Sequence, residues 1–134
     1  MTIRLADDKD YPWLKKHDKH ISDEVLKAKI AAKEVYVVQK GDELTGWLRY
    51  NLFWDNTPFL NLVFFLEEYR RKGFGKKLIH HWEKAMKEKG HGNVLTSTLS
   101  NEEAQHFYRK MGYTEIGGFK LSGEPLEMIF HKKI

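Results

Sequence analysis

Between Phe59 and Leu66 the chain reads Phe-Leu-Asn-Leu-Val-Phe-Phe-Leu, with Asn61 its only polar member. A run this short and this apolar predicts a central strand covered on both faces. Beyond Glu67-Glu68-Tyr69 comes Arg70-Arg71-Lys72-Gly73-Phe74-Gly75, and then Phe74, Leu78, Trp82, Ala85 and Met86 recur at helical spacing until Gly90. The periodicity predicts an amphipathic helix, and the glycine its end. A buried strand feeding a basic turn and a helix commits the chain to a mixed α/β fold.

The rest of the chain fits that frame. Thr2 to Leu5 reads as a first strand, and Asp7-Asp8-Lys9-Asp10 with Pro12 as the start of a helix. A second helix is expected from Ser22 to Ala32. Val35 to Val38 and Leu44 to Phe53 form a hairpin around Lys40-Gly41-Asp42-Glu43. Within its second strand Leu48, Tyr50, Leu52 and Trp54 alternate with a more mixed set, so one face is expected to be better buried. Asp55 to Pro58 is turn chemistry. Val94 to Thr98 reads as a strand; Ser100 and Glu103 have capping-box spacing; Ala104, Phe107, Tyr108 and Met111 share one helix face closed by Gly112. Tyr113 to Ile116 and Leu126 to His131 complete the strands, and Gly117-Gly118-Phe119 with Leu121 to Pro125 reads as a flexible connection. With no repeat and no linker, residues 1–134 are expected to be one domain.

Composition narrows the partners. The net charge is +4, and five cations (Arg70, Arg71, Lys72, Lys76, Lys77) fall between residues 70 and 77 without an acid. That balance suits an anionic partner; nucleic acid, a phosphate-bearing cofactor and an acidic surface all qualify. No stretch approaches the ~20 apolar residues of a membrane span. The chain has no cysteine, which fits a reducing compartment and rules out an acyl-enzyme on a thiol. The cytosol is the expected location.

At the start of the predicted helix four N–H groups lack an intrahelical acceptor, and the dipole favours an anion there. Gly73 and Gly75 carry no Cβ, so a phosphate can approach the main chain. The turn lacks the Gly-Lys-Ser/Thr ending of a Walker loop and the three glycines of a dinucleotide fold. General phosphate binding is as far as these residues lead by themselves.

Arg70-x-x-Gly73-x-Gly75 after an apolar strand resembles the acetyl-CoA signature of the GNAT superfamily of N-acetyltransferases. Asn101 to Tyr113, with Ala104, Phe107-Tyr108 and Gly112-Tyr113, resembles that family's second motif. The resemblance spans essentially the whole chain. It implies a central mixed sheet of six to seven strands flanked by about four helices, and transfer of acetyl from acetyl-CoA to an amine, with no metal. By resemblance, Val63, Phe64 and Phe65 pair with the pantetheine arm. The main chain of Arg71, Lys72, Gly73, Phe74, Gly75 and Lys76 holds the pyrophosphate. Asn101 bonds the pantetheine portion, Tyr108 protonates the departing thiolate, and the Phe65 N–H lies near the oxyanion.

The implied reaction is direct attack of an amine on the thioester. An amine of pKa near 10.4 is neutral about once in 10³ at pH 7, so deprotonation costs ~4–5 kcal/mol. Many family members supply a glutamate where this chain has Thr96, and another acid where it has Asn61. Neither is a base; water, His17 or His20 is left as the relay, and Glu67 and Glu68 are expected at the surface. Trp13, His17, Phe53 and Trp54 are candidates to line the acceptor pocket, the acceptor being a small-molecule or peptide amine and the protein a monomer or homodimer. Two rival readings remain: a CoA-binding module without catalysis, and a basic nucleic-acid binder whose cation run is interrupted by two glycines.

Overall fold

Strand formers and turn formers alternate along the chain as expected, and the computed structural model, which describes all residues 1–134, contains seven strands and four helices. The strands are β1 (Thr2–Leu5), β2 (Val35–Lys40), β3 (Glu43–Phe53), β4 (Thr57–Phe65), β5 (Asn93–Leu99), β6 (Thr114–Phe119) and β7 (Glu127–Lys133). The helices are α1 (Tyr11–His17), α2 (Asp23–Ala31), α3 (Phe74–Glu88) and α4 (Ala104–Lys110), with 3-10 turns at Asp8–Asp10 and Glu67–Tyr69. One mixed sheet runs in the order β1-β2-β3-β4-β5-β7-β6. Its β4–β5 pair is parallel, because α3 supplies the crossover that parallel strands require. No helix is long and apolar enough to cross a membrane.

The chain divides into two compact units, residues 1–50 with 62–81 and residues 51–61 with 82–134. In the first, β1 pairs antiparallel with β2, and β2 with β3 through Tyr36↔Leu48 and Val37↔Trp47. Asp7 accepts from Lys9 N–H and Asp10 reaches back to the Asp7 N–H, a capping box on the 3-10 turn that leads into α1. Ser22 Oγ accepts from Val25 N–H at 3.3 Å and starts α2. Leu14, Leu26, Ile30, Val35, Val37 and Trp47 form the core. The expected one-sided burial of β3 does not hold, since every residue from Thr45 to Tyr50 is buried. Arg49 permits this because its guanidinium is neutralised by Asp18. Gly46 marks a close approach: a Cβ there would collide with the Phe65 ring.

In the second unit β5 pairs in parallel with β4 at Phe59↔Leu95 and Leu60↔Thr96, and antiparallel with β7 from Asn93↔Lys133 to Leu99↔Glu127. Three expectations need correction. The Ser100–Glu103 capping box does not form: Glu103 precedes α4 without a side-chain cap, while Glu102 accepts from Leu99 N–H and Gln105 Nε2 donates to the Ser100 carbonyl. The Ser100 N–H from which Glu103 was expected to accept is donated instead to the Leu126 carbonyl at 2.7 Å. Gly117 to Phe119 is strand rather than connection, pairing with Ile129, Met128 and Glu127. Third, β4 is not covered along its whole length; Asn61 and Phe64 are exposed.

Candidate active site

The basic turn is anchored before it is basic. Arg70 Nε donates to the Phe65 carbonyl at 2.8 Å, and its guanidinium lies 4.7 Å from the centre of the Phe64 ring. Arg70 therefore clamps the turn onto the end of β4, and its Nε is already committed to the protein. The chain passes through a 3-10 turn closed by Arg70 N–H to Glu67 O, takes φ +61° at Arg71 and φ +81° at Gly73, and enters α3. Lys77 N–H donates to Gly73 O at 3.2 Å. The amides of Gly73, Phe74, Gly75 and Lys76 come before that bond, where helix geometry offers no i−4 acceptor.

Gly73 is the position where glycine is required for conformation, and a Cβ placed there would meet nothing within 4 Å. The turn is open on that side. Arg71, Lys72, Lys76 and Lys77 are exposed around it, and a recess of about 260 Å³ lies among Glu67, Arg70 and Arg71. Open main-chain donors, a helix dipole and exposed cations are together the chemistry that can hold an anion. Val63, Phe64 and Phe65 immediately precede it on β4, in the same unit.

Tyr108 and Asn101 belong to the other unit. Asn101 is exposed in the turn before α4. Tyr108 is 8% exposed, with its ring edge-on to Tyr113 at 5.5 Å and tilted on Phe130 at 6.4 Å. Burial pushes its phenol up, a hydrogen bond with Thr96 pulls it down, and Glu102 adds a smaller upward push. Thr96 is 1% exposed, and its Oγ1 donates to the Leu60 carbonyl at 3.1 Å. Asn61 Nδ2 donates to Asn51 Oδ1 at 2.9 Å, so two amides stand paired where a carboxylate was sought.

The expected acceptor-lining residues divide. Trp13 packs against the core, edge-on to Trp47 at 5.5 Å, with His17 stacked on it at 4.4 Å. Burial lowers the His17 pKa, and Lys16 and Lys19 lower it further. Phe53 and Trp54 stack on each other at the β3–β4 turn, where Trp54 is 79% exposed.

The sequence reading missed a buried polar centre. Asp18 accepts from Arg49 Nε at 2.8 Å, from Trp47 Nε1 at 3.1 Å and from the His20 amide at 3.2 Å. Burial pushes its carboxyl up, but Arg49, with the amide and the indole, outweighs that and holds it below its ordinary value. The available signal was Arg49 itself, a lone cation in the middle of a buried strand, which requires a carboxylate partner.

The sequence profile of the Acetyltransferase (GNAT) family matches residues 2–113, most of the chain. The protein belongs to that family. Family membership makes the GNAT chain an acetyl-CoA-dependent N-acetyltransferase. No curated protein matches it. Among solved structures, Ard1 from Thermoplasma volcanium is similar at TM-score 0.85 and 16% identity, over 99% of this chain and 97% of that one. The ribosomal-protein-alanine N-acetyltransferase from Brucella melitensis gives 0.83 and 17%, over 100% of both. Arabidopsis thaliana Naa50, in complex with the bisubstrate analogue CoA-Ac-MVNAL, gives 0.80 and 17%, over 99% and 98%. At such identities the likeness is one of fold, and it matches the seven-stranded mixed sheet described above.

Proposed function

We propose that the GNAT protein holds the pyrophosphate of acetyl-CoA on the main chain of Arg71, Lys72, Gly73, Phe74, Gly75 and Lys76, and transfers acetyl to an α-amine. The observation that carries the cofactor reading is the open turn at Gly73, whose amides precede the first bond of α3 beside exposed cations. In this reading Val63, Phe64 and Phe65 pair with the pantetheine arm, Asn101 bonds its far portion, and Tyr108 gives its proton to the leaving thiolate. The two units act as one domain, since β3, β4 and α3 are unbroken elements that each run through both. A chain without cysteine needs no oxidising compartment, and the cytosol is the compartment proposed.

Energetics favour an α-amine as acceptor. With pKa 7.7–8.0 it is neutral roughly one time in ten at pH 7, at a cost of ~1 kcal/mol, against ~4–5 kcal/mol for a lysine-like amine. The amides of Asn51 and Asn61 and the hydroxyl of Thr96 supply no base to offset the larger cost. Fold relatives whose names include a ribosomal-protein-alanine acetyltransferase, and one bound to an acetylated peptide analogue, point the same way.

Thiol release with acetyl-CoA, screened over peptide N-termini, amino acids, polyamines and aminoglycosides, tests the whole reading. Turnover on α-amines at neutral pH is expected. Saturable CoA binding by calorimetry without turnover on any amine would leave a binding module; salt-steep RNA or DNA binding without CoA binding would mean a nucleic-acid protein.

A further inference from the structure

Tyr113 is tied down at both ends, and Tyr108 rests against it. The Tyr113 N–H donates to the Tyr108 carbonyl at 3.0 Å, across the turn in which Gly112 takes φ +91°. Its ring meets the Tyr108 ring edge-on at 5.5 Å. Its hydroxyl donates to Glu83 Oε2, on α3, at 2.6 Å, and Glu83 Oε1 accepts from Lys132 Nζ, on β7, at 3.1 Å. Glu83 and Tyr113 are both buried. Burial, and then the carboxylate beside it, push the Tyr113 phenol up, so it stays a proton donor. The remaining rings on Tyr108 are Phe107, its neighbour on α4, and Phe130 at 6.4 Å. Those are apolar contacts, which fill space without fixing a direction. A hydrogen bond does fix one, and Glu83 supplies it to the ring that walls Tyr108. Keeping a carboxylate buried is costly even when it is paired, and a well-packed apolar side chain would serve stability as well.

We propose that Glu83 is a positioning residue: it fixes the Tyr113 ring, and the fixed ring aims the Tyr108 hydroxyl at the departing sulfur. This rests on Tyr108 being the acid. No bond forms or breaks at Glu83 or Tyr113; the proton that moves is the one on Tyr108. Proton transfer needs donor and acceptor within hydrogen-bond reach, and a displacement of about 1 Å costs on the order of 10²-fold in rate. The two partners of Glu83 ask different things of it. Tyr113 needs an oxygen that accepts, whereas Lys132 needs a negative charge. Glutamine keeps the first and loses the second, so the aiming of Tyr108 and the stability of the buried pair come apart in one variant.

The test compares Tyr113→Phe, Glu83→Leu and Glu83→Gln, each alone and combined with Tyr108→Phe. Turnover of acetyl-CoA with an α-amine peptide is followed by thiol release, and stability by urea unfolding. Tyr113→Phe and Glu83→Leu are expected to lower kcat about three- to tenfold, with KM for acetyl-CoA in place. Glu83→Gln is expected to keep kcat near the parent value while its urea midpoint falls. Combined with Tyr108→Phe, each change should alter the residual kcat by less than about twofold, because no hydroxyl is left to aim. If Glu83→Leu does not fold, Tyr113→Phe, which keeps the ring and the main-chain bond, decides the matter. An unchanged kcat in Tyr113→Phe, or an equal loss with and without the Tyr108 hydroxyl, overturns the proposal. A Tyr108→Phe enzyme as active as the parent instead removes the acid assignment on which it stands.

Discussion

Asp18 shows how much one carboxylate can hold in place. It terminates α1 and binds the indole and guanidinium of two β3 residues, with its side chain wholly buried. Asp18→Asn leaves Arg49 charged and buried without its counter-ion, and is expected to cost about 3–5 kcal/mol, read as a lower urea midpoint with an unchanged slope. Arg70 differs in kind, because it sits at the surface and organises main chain. Arg70→Ala is expected to raise KM for acetyl-CoA about tenfold with kcat retained, and Arg70→Lys to rescue little, since an ammonium lacks both the Nε donor and the flat face over Phe64. Tyr108→Phe should show the opposite pattern, with kcat lowered about 10²- to 10⁴-fold and CoA affinity by calorimetry kept. The helix that carries Tyr108 was legible in the sequence. The aromatic surroundings of its ring were not, because Phe130 of β7 meets it only in the folded chain.

Turns make predictions of their own. Gly73→Ala places a Cβ at φ +81° and is expected to cost ~1–2 kcal/mol, and to weaken CoA binding because the amides would be re-aimed. The β3–β4 turn carries the same strain uncorrected: Trp54 at φ +55° and Asp55 at φ +65° are closed by Asn56 N–H to Phe53 O at 3.2 Å. Replacing the pair with Asn-Gly, the residues this geometry favours, is expected to add ~1 kcal/mol of stability, seen as a higher Tm. Elements were readable where local chemistry decides them, as in the β2–β3 hairpin around Gly41 and the end of α3 at Gly90. The α4 start was misread for a local reason. Ser100 and Glu103 have the right spacing, but the Ser100 N–H that the box requires is donated to the Leu126 carbonyl at 2.7 Å. The ladder at Gly117 to Phe119 was missed because glycine carries no strand signal and its partners lie in β7.

For the whole molecule, acid is the revealing variable. The Asp18 carboxyl is held low against its burial by Arg49, and Asp10 likewise, against burial, by Arg4 at 2.7 Å. Both folded values lie below the unfolded one of about 3.9, so their stabilisation is fully present above that pH and is lost as pH falls through the folded values. Acid unfolding should therefore steepen below about pH 4, and Asp18→Asn should flatten that limb, as followed by circular dichroism. The architecture could be anticipated because strand, basic turn and helix follow one another between Phe59 and Gly90. The need of Arg49 for a carboxylate could be read as well, but not that Asp18 supplies it, because the two are 31 residues apart.

The Arg70 clamp and the Gly73 turn bear on how the protein responds to the state of the cell. In the proposed reading the turn holds phosphate, which the acetylated donor and the spent coenzyme share. Product would then compete with donor on nearly equal terms, and turnover would follow the proportion of coenzyme that is acetylated more than the total amount present.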